Sequence, residues 1–383
     1  MKKRAVKFVL FSYIIWRVFL LFVVLLAINT LLLQRDFLGG GIENYLRNPY
    51  FWSWLNFDGE HYAAIALRGY QPLTYFFFPF YPLVTRFFAS LFGGGLTNIA
   101  ISGLFVSNAS LLVALMGLWK LIRLDYKEGI AKSMIILLLL FPTSFYFGAF
   151  YTEGLVLALI IWCFYSARKG NWVLAGVLGA MATATRITAI ALIPGILYEV
   201  WRYKKENPQK SLIMPTVTLI LIPAGLVIYM SYLYRVTGDP LEFFNKISIF
   251  GQQRSADIVI LPQVFYRYFF KVLPNLAYSY FPVVFTTYLE IITAFVFLVL
   301  GILSFLKLRL SYALFFATGY LIPPLSGSFS SFPRYVLILF PAFLLSALFL
   351  KKQSRPTKIV VYIILLNLLV VSCTLFIRGY WVS

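Results

Sequence analysis

MKKRAVKFVLFSYIIWRVFLLFVVLLAINTLLL (residues 1–33) opens on four basic residues and then runs from 8 to 33 with Arg17 as its only charge. A helix needs about 20 apolar residues to cross the hydrocarbon core of a bilayer. The basic start resembles the n-region of a signal peptide. The apolar stretch is longer than the 7–15 residues of an h-region, so it is read as an uncleaved membrane helix.

The whole chain agrees with that reading. Of its 383 residues, 61% belong to the hydrophobic set and 12% are charged. Soluble domains have about 45–50% and about 25% respectively, and the mean hydropathy is +0.85. Too few charges are available to cover a water-soluble surface. Cys163 and Cys373 both lie in apolar runs, which excludes a disulfide scaffold. With one histidine, His61, they also leave no zinc site of the usual Cys/His kind. No Gly-rich phosphate loop or dinucleotide fingerprint occurs.

Eleven spans are predicted, at about 8–33, 97–122, 130–147, 149–167, 171–185, 187–201, 212–236, 282–306, 310–325, 334–350 and 357–377. The expected fold is an all-α polytopic membrane protein, residues 1–383 forming one integral membrane domain of about 11 transmembrane or half-spanning helices. Several of the spans are too short to cross fully. With the N-terminus in the cytoplasm, 20 of the 33 Lys and Arg residues fall at inside ends, around 2–7, 120–132, 168–169, 202–210, 307–309 and 351–358. This obeys the positive-inside rule. The net charge of +20 is therefore topogenic, and no nucleic-acid partner is expected.

Residue type divides the charges further. Fourteen of the 20 inside are Lys, whereas 11 of the other 13 are Arg. Lysine suffices to hold a loop in the cytoplasm, while arginine's planar fork suits phosphate and carboxylate. Compositional accident and interfacial snorkelling give the bland alternative. The sharper one is phosphate chemistry on the outer, non-cytoplasmic face.

Two non-cytoplasmic segments, 34–96 and 237–281, are too long to be mere connectors. FFFPFYPLVTRFFASLFGGG (76–95) reads as a helix lying in the outer interface, and VFYRYFFKVLPNLAYSYF (264–281) as a second interfacial stretch. The first segment also carries WLNFDGEHYAAIALRGYQP (54–72). Asp58 and Glu60, one residue apart, suit a general base and a partner that tunes it; a solvated acidic loop is the alternative. Trp52 and Trp54 are expected at headgroup depth. His61, Tyr70 and Trp54 join them as candidate substrate contacts, although a lone histidine such as His61 is more often a hydrogen-bonding loop residue than a base or ligand.

Arg186, in TATRITA, stands between two short spans, where an isolated charge is costly and marks a site unless it pairs with Glu153 or Glu290. Glu153, in FYTEGL, tops the neighbouring hairpin as a further substrate-contact candidate, and Arg334 opens a span beside the polar run 326–331. Arg186, Arg334 and, in reserve, Arg68 are the candidate donor-phosphate ligands. Arg17 is read as a satisfied structural charge, and Glu290 has no assigned role. No metal site is expected. A divalent cation is compatible with the residues but not implied by them.

These stretches resemble a known family. WLNFDGEHYAAIALRGYQP with YFFFPFYPLV looks like the first lumenal loop of the PIG-V family, the GPI mannosyltransferase II group. FPTSFYFGAFYTEGLVLAL (141–159), ATATRITAIALIPG (182–195) and FPRYVLILFPAFL (332–344) resemble its Asn-Pro-Ala…Tyr-Ser-Glu-Ser, Arg-Ser-Asn-Gly and late Arg-Tyr stretches. The four come in family order over about 290 residues, the first being the most specific. Thr143, Glu153-Gly154 and Ile187-Thr188-Ala189 depart from the family pattern, and the compact chain points to a prokaryotic relative. The resemblance implies a GT-C glycosyltransferase of the plasma membrane, working on the non-cytoplasmic face. It implies a polyprenyl-phosphate sugar donor, mannose above all, a lipid-linked or glycan acceptor, inversion at the anomeric carbon, and an acidic base in the first outer loop. The rival readings are a lipid-linked oligosaccharide flippase and an O-antigen ligase-like enzyme with an undecaprenyl-diphosphate donor.

Overall fold

The computed structural model describes residues 3–246, 249, 254–255 and 257–382. In chain order its α-helices are α1 (Lys3–Thr30), α2 (Gly41–Arg47), α3 (Pro49–Trp52), α4 (Asp58–Arg68), α5 (Phe80–Ser90), α6 (Leu96–Ile122), α7 (Glu128–Leu140), α8 (Glu153–Arg168), α9 (Trp172–Thr185) and α10 (Leu192–Glu206). There follow α11 (Ile213–Leu221), α12 (Ala224–Thr237), α13 (Glu242–Asn245), α14 (Leu261–Arg267), α15 (Phe281–Lys307), α16 (Leu310–Leu321), α17 (Phe332–Tyr335), α18 (Phe340–Lys351) and α19 (Arg355–Ile377). No strand occurs among the described residues.

Two kinds of helix share the work. Among the described residues five segments are long and apolar enough to cross a membrane: α1, α6, α11 with α12, α15 and α19. A sixth is possible if the pair Phe332–Ile338 and Phe340–Lys351, bent by 82°, counts as one span. The remaining predicted spans are the shorter helices α7 to α10 and α16, of 12–16 residues. At 1.5 Å per residue these reach about 18–24 Å, short of the roughly 30 Å core. The break at Leu339 has a local cause: Pro341, in the first turn of α18, cannot donate to a preceding turn.

Packing follows hydrophobicity. Helix α8 is apolar on all sides, with Ile160, Ile161, Cys163 and Phe164 fully buried, and it sits centrally against α6 and α9. Gly154 permits the closest part of that contact, because a Cβ there would stand 2.7 Å from the Ser107 carbonyl of α6. In contrast, the apolar windows of α1, α11–α12 and α19 are each only 28% buried, so most of their surface is left for lipid.

Alternation of direction gathers the basic clusters at one end of the bundle. Arg168 at the end of α8 pairs with Asp125 beyond α6, and Arg309 before α16 pairs with Glu199 of α10 at 2.5 Å. Lys132 of α7 lies 5.5 Å above the ring of Phe8 in α1. At the opposite end, the loops 141–152, 186–191 and 326–339 run through the protein interior. Their polar groups are met inside: Phe150 N–H donates to the Trp54 carbonyl at 2.9 Å, Thr143 Oγ1 to the Pro333 carbonyl at 2.7 Å, and Tyr151 Oη to the Asn56 carbonyl at 2.8 Å. Irregular backbone at membrane depth is tolerated only when buried in this way or lining a cavity.

The segment 34–96 is largely helical, α2 to α5, rather than a loose loop. The predicted helix of 76–95 covers 80–90, with Leu83 and Phe87 exposed on one side and Tyr81, Thr85 and Ala89 buried on the other. Trp52 and Trp54, expected at headgroup depth, are instead buried at 5% and 2% exposure, because α3 and the turn after it tuck beneath α4. Trp54 forms the floor for Arg17, whose guanidinium carbon lies 4.3 Å over the ring. Arg17 is thus met by an aromatic face, and its Nη1 is buried without a hydrogen-bond partner among the described residues.

Candidate active site

Helix α4 begins at Asp58, and the residue before it, Phe57, has φ +59° and ψ −120°. A non-glycine residue persists there only where its surroundings over-determine it. Those surroundings are specific: Phe57 N–H donates to the Phe37 carbonyl at 2.9 Å. Fully buried Asn56 accepts from Gly39 N–H at 2.9 Å and donates to the Phe376 carbonyl at 2.8 Å. The start of α4 is thereby pinned to the end of α19, and Asp58 is aimed inward.

It meets Arg334, whose Nη1 donates to Asp58 Oδ2 at 2.5 Å. Arg334 also carries Nε 3.4 Å from Glu153 Oε1, a contact of charge without hydrogen-bond geometry. Glu153 Oε1 accepts from Arg186 Nη1 at 2.7 Å, so Arg186 makes the structural pairing with Glu153 that its sequence position left open. The result is an alternating row, Asp58–Arg334–Glu153–Arg186, with exposures of 4%, 1% and 8% for its last three members. Four helices supply the charges: α4 and α8 start on the acids, Arg186 follows directly on the end of α9, and the short α17 holds Arg334. Buried charges at these spacings are stable only because each is compensated.

Aromatic rings complete the enclosure. Arg186 lies 4.5 Å over Tyr335, and Arg334 lies 5.4 Å from the ring centres of both Tyr146 and Tyr151. Arg254 enters from the segment before α14, donating to the Ser330 carbonyl at 3.0 Å and to Tyr335 Oη at 3.5 Å.

In front of Asp58 and Arg334 lies a cavity of about 200 Å³, with His61, Arg254, Ser331 and Tyr335 as its other polar lining. Phe37, Phe57 and Trp381 form the wall that separates it from a larger cavity of about 680 Å³. A cleft of about 50 Å³ continues from Asp58 toward Arg186. Burial is the largest single influence on Asp58 and raises its pKa, but the charge and hydrogen bond of Arg334, with His61 and Arg186 adding, together hold the carboxyl below its ordinary value. Glu60 goes the other way: burial pushes it up, against a hydrogen bond from Gly41 N–H.

The site thus brings together Asp58, Glu153, Arg186, Arg334 and His61 from the sequence candidates. Glu60 is not among them, since residues i and i+2 of a helix do not share a face; it accepts from Gly41 N–H at 3.3 Å. Arg68 stands exposed ten residues along α4, about 15 Å from Asp58 along the axis. Tyr70 donates to the Phe77 carbonyl at 2.6 Å and stacks on Tyr75, so it shapes the turn between α4 and α5. Trp54 lines neither cavity. Asn56, Arg254, Tyr335 and Trp381 were not among the candidate site residues, although Asn56 and Tyr335 lie in two of the stretches that carry the resemblance and Arg254 belongs to the arginine-rich outer set. Among the described residues no three His, Cys, Asp or Glu side chains gather as a metal site would require.

No family model and no curated protein sequence matches the chain. Among solved structures it is similar to ArnT from Cupriavidus metallidurans in the apo state, with a TM-score of 0.49 and 18% identity over 92% of this chain and 61% of that one. It is also similar to the same protein bound to undecaprenyl phosphate, at 0.48 and 18% over 92% and 62%. An oligosaccharyltransferase of Archaeoglobus fulgidus tethered with an acceptor peptide follows at 0.45 and 12%, over 100% and 56%. The chain spans about three fifths of the length of the ArnT structures. What fold and site define together is an all-helical, multi-pass integral membrane protein with a buried, charge-balanced polar site at one end of its bundle.

Proposed function

We propose that this protein is an inverting glycosyltransferase that moves a sugar, mannose on the strength of its motifs, from a polyprenyl-phosphate donor to a lipid-linked or glycan acceptor on the non-cytoplasmic face. The observation that carries the reading is Asp58 in the mouth of the 200 Å³ cavity with Arg334 and Arg254 beside it. An acceptor hydroxyl gives its proton to the Asp58 carboxylate while its oxygen bonds to the anomeric carbon from the face opposite the phosphate. The bond between that carbon and the phosphate oxygen breaks, and its electron pair leaves on the phosphate. The extra negative charge on the lipid phosphate is met by guanidinium groups, Arg334 and Arg254 at the cavity and Arg186 behind them.

The Asp58–Arg334 pair gives the order of events. A carboxylate held by arginine is a weak base, and its pairing must loosen before it accepts a proton well. An arriving phosphodiester competes for the Arg334 fork, so donor binding releases Asp58 for the acceptor. Glu153 keeps Arg334 and Arg186 in place throughout. A flippase would need a polar route through the bundle, whereas the other end is closed by the Arg168–Asp125 and Arg309–Glu199 pairs and the rings of Phe164, Tyr312 and Phe340.

The test is transfer by purified protein given polyprenyl-phosphate-mannose and native lipid extract. A new mannosylated product is expected from the wild type and not from Asp58→Asn. A wild type that neither transfers nor consumes donor would overturn the proposal.

A further inference from the structure

The larger cavity, of about 680 Å³, lies beside the catalytic one and shares its Phe37–Phe57–Trp381 wall. It is bounded by α15, the helical turns after α14, and the segments around Ser328 and Tyr380. In its lining stands Glu290, 6% exposed, in the middle of the apolar helix α15. Glu290 Oε2 accepts from Tyr268 Oη at 3.0 Å, and Oε1 accepts from Ser331 N–H at 3.3 Å. No cation among the described residues forms an ion pair with it, unlike Glu153, Glu199 and Asp58. A carboxylate in a membrane helix marks a site by default. Each of its oxygens accepts about two hydrogen bonds, so capacity remains toward the cavity.

From these observations we infer that the cavity binds the sugar headgroup of the acceptor, with Glu290 accepting hydrogen bonds from its hydroxyls. Three features select this class of ligand. The volume falls in the range of small-molecule sites, about 300–1,000 Å³. The rings of Tyr280, Tyr380 and Trp381 offer flat apolar faces to the C–H side of a pyranose. Among the described residues the lining carries one base, Lys271, beside the acids Asp36 and Glu290, and no arginine fork for a phosphate. Phosphate is drawn to the arginines across the wall and hydroxyls to the Glu290 carboxyl group on this side, so the two substrates sort by the groups that meet them. Trp381, on both cavities, lies where a hydroxyl of the bound sugar would turn toward Asp58. The word acceptor rests on the transferase reading; the sugar site does not.

The experiment is photolabelling of the full chain in phosphatidylcholine nanodiscs with an alkyl mannoside bearing a diazirine in its chain. Labelled peptides are expected from 268–290 and 379–382. Unlabelled alkyl glucoside should compete, and an alkyl alcohol or alkylamine of the same chain length should not. Loss of a hydrogen bond to the Glu290 carboxyl group predicts about a two- to tenfold fall in labelling for Glu290→Ala. Glu290→Gln, which keeps a carbonyl for Ser331 N–H, should lose less. The sugar-to-alcohol competition ratio separates recognition from loosened packing, which would weaken both competitors alike. Labelling elsewhere, labelling unchanged in Glu290→Ala, or equal competition by the alcohol or better competition by the amine would overturn the proposal. No turnover is needed, so sugar-specific labelling without any transfer product removes the transferase reading and leaves the cavity, while transfer with labelling elsewhere removes the cavity alone.

Discussion

Asp58 accepts a hydrogen bond from Arg334 and lines the 200 Å³ cavity. Removing a general base lowers rate by about 10²–10⁴. Asp58→Asn should therefore lose that much in initial transfer rate, and Glu60→Gln, whose side chain points away, much less; the reverse order would exchange their roles. The arginines separate by partner. Arg254 bonds only to a carbonyl and a phenol among the described residues, so Arg254→Ala should raise the apparent KM for donor and Arg254→Lys should restore part of it. Arg186→Ala removes the charged hydrogen bond to Glu153 Oε1 and leaves it the Arg334 charge at 3.4 Å, so it should destabilise the protein by about 1.5–3 kcal/mol in thermal or denaturant unfolding. The sign of the pH effect follows from Asp58. Its folded pKa is depressed, so its contribution to stability is present above the ordinary carboxylate value of about 3.9 and is lost as pH falls through the lower folded value. Melting temperatures should drop over that acid range in the wild type and drop less in Asp58→Asn.

Element by element, the site depends on helix ends rather than helix faces. Four helices of different length terminate on its charges, and the left-handed Ser331, φ +65°, turns the chain into α17 with Arg334 in reach. The closeness of α8 to α6 fixes where Glu153 sits. Gly154→Val should thus destabilise by about 1–3 kcal/mol through overpacking against Ser107. Gly129→Ala, in open space on α7, should change thermal stability little or raise it slightly. Equal losses in both variants would show that the α6–α8 contact is not tight.

For the whole molecule, the proposed orientation rests on the distribution of basic residues and the positive-inside rule. Cysteines replacing exposed Glu43 and Asn245 should react with an impermeant thiol reagent in intact cells, and those replacing Lys127 and Lys205 should not. Native Cys163 and Cys373 are buried and stay silent. The opposite labelling pattern would put Asp58 in the cytoplasm, where sugar nucleotides are available as donors.

The membrane class, the helical architecture, the approximate span positions and the clustering of lysine at one end followed from sequence, because hydrophobicity over some twenty residues and charge at span ends act locally. Asp58, Arg186 and Arg334 were likewise visible as charges in places where charge is expensive. Their pairing was not: Asp58 and Arg334 are 276 residues apart, and only packing of short helices against long ones brings them to 2.5 Å. Trp54 and Tyr70 looked like site or interface residues because ring chemistry is the same in a core as at a headgroup, and burial alone distinguishes the two. Asn56 and Trp381 are ordinary residues in sequence, and they matter because the end of α19 folds back over the start of α4. Glu290 stood out as a lone charge, but the cavity it faces exists only where α15, Tyr268 and the segment around Ser328 enclose a common space.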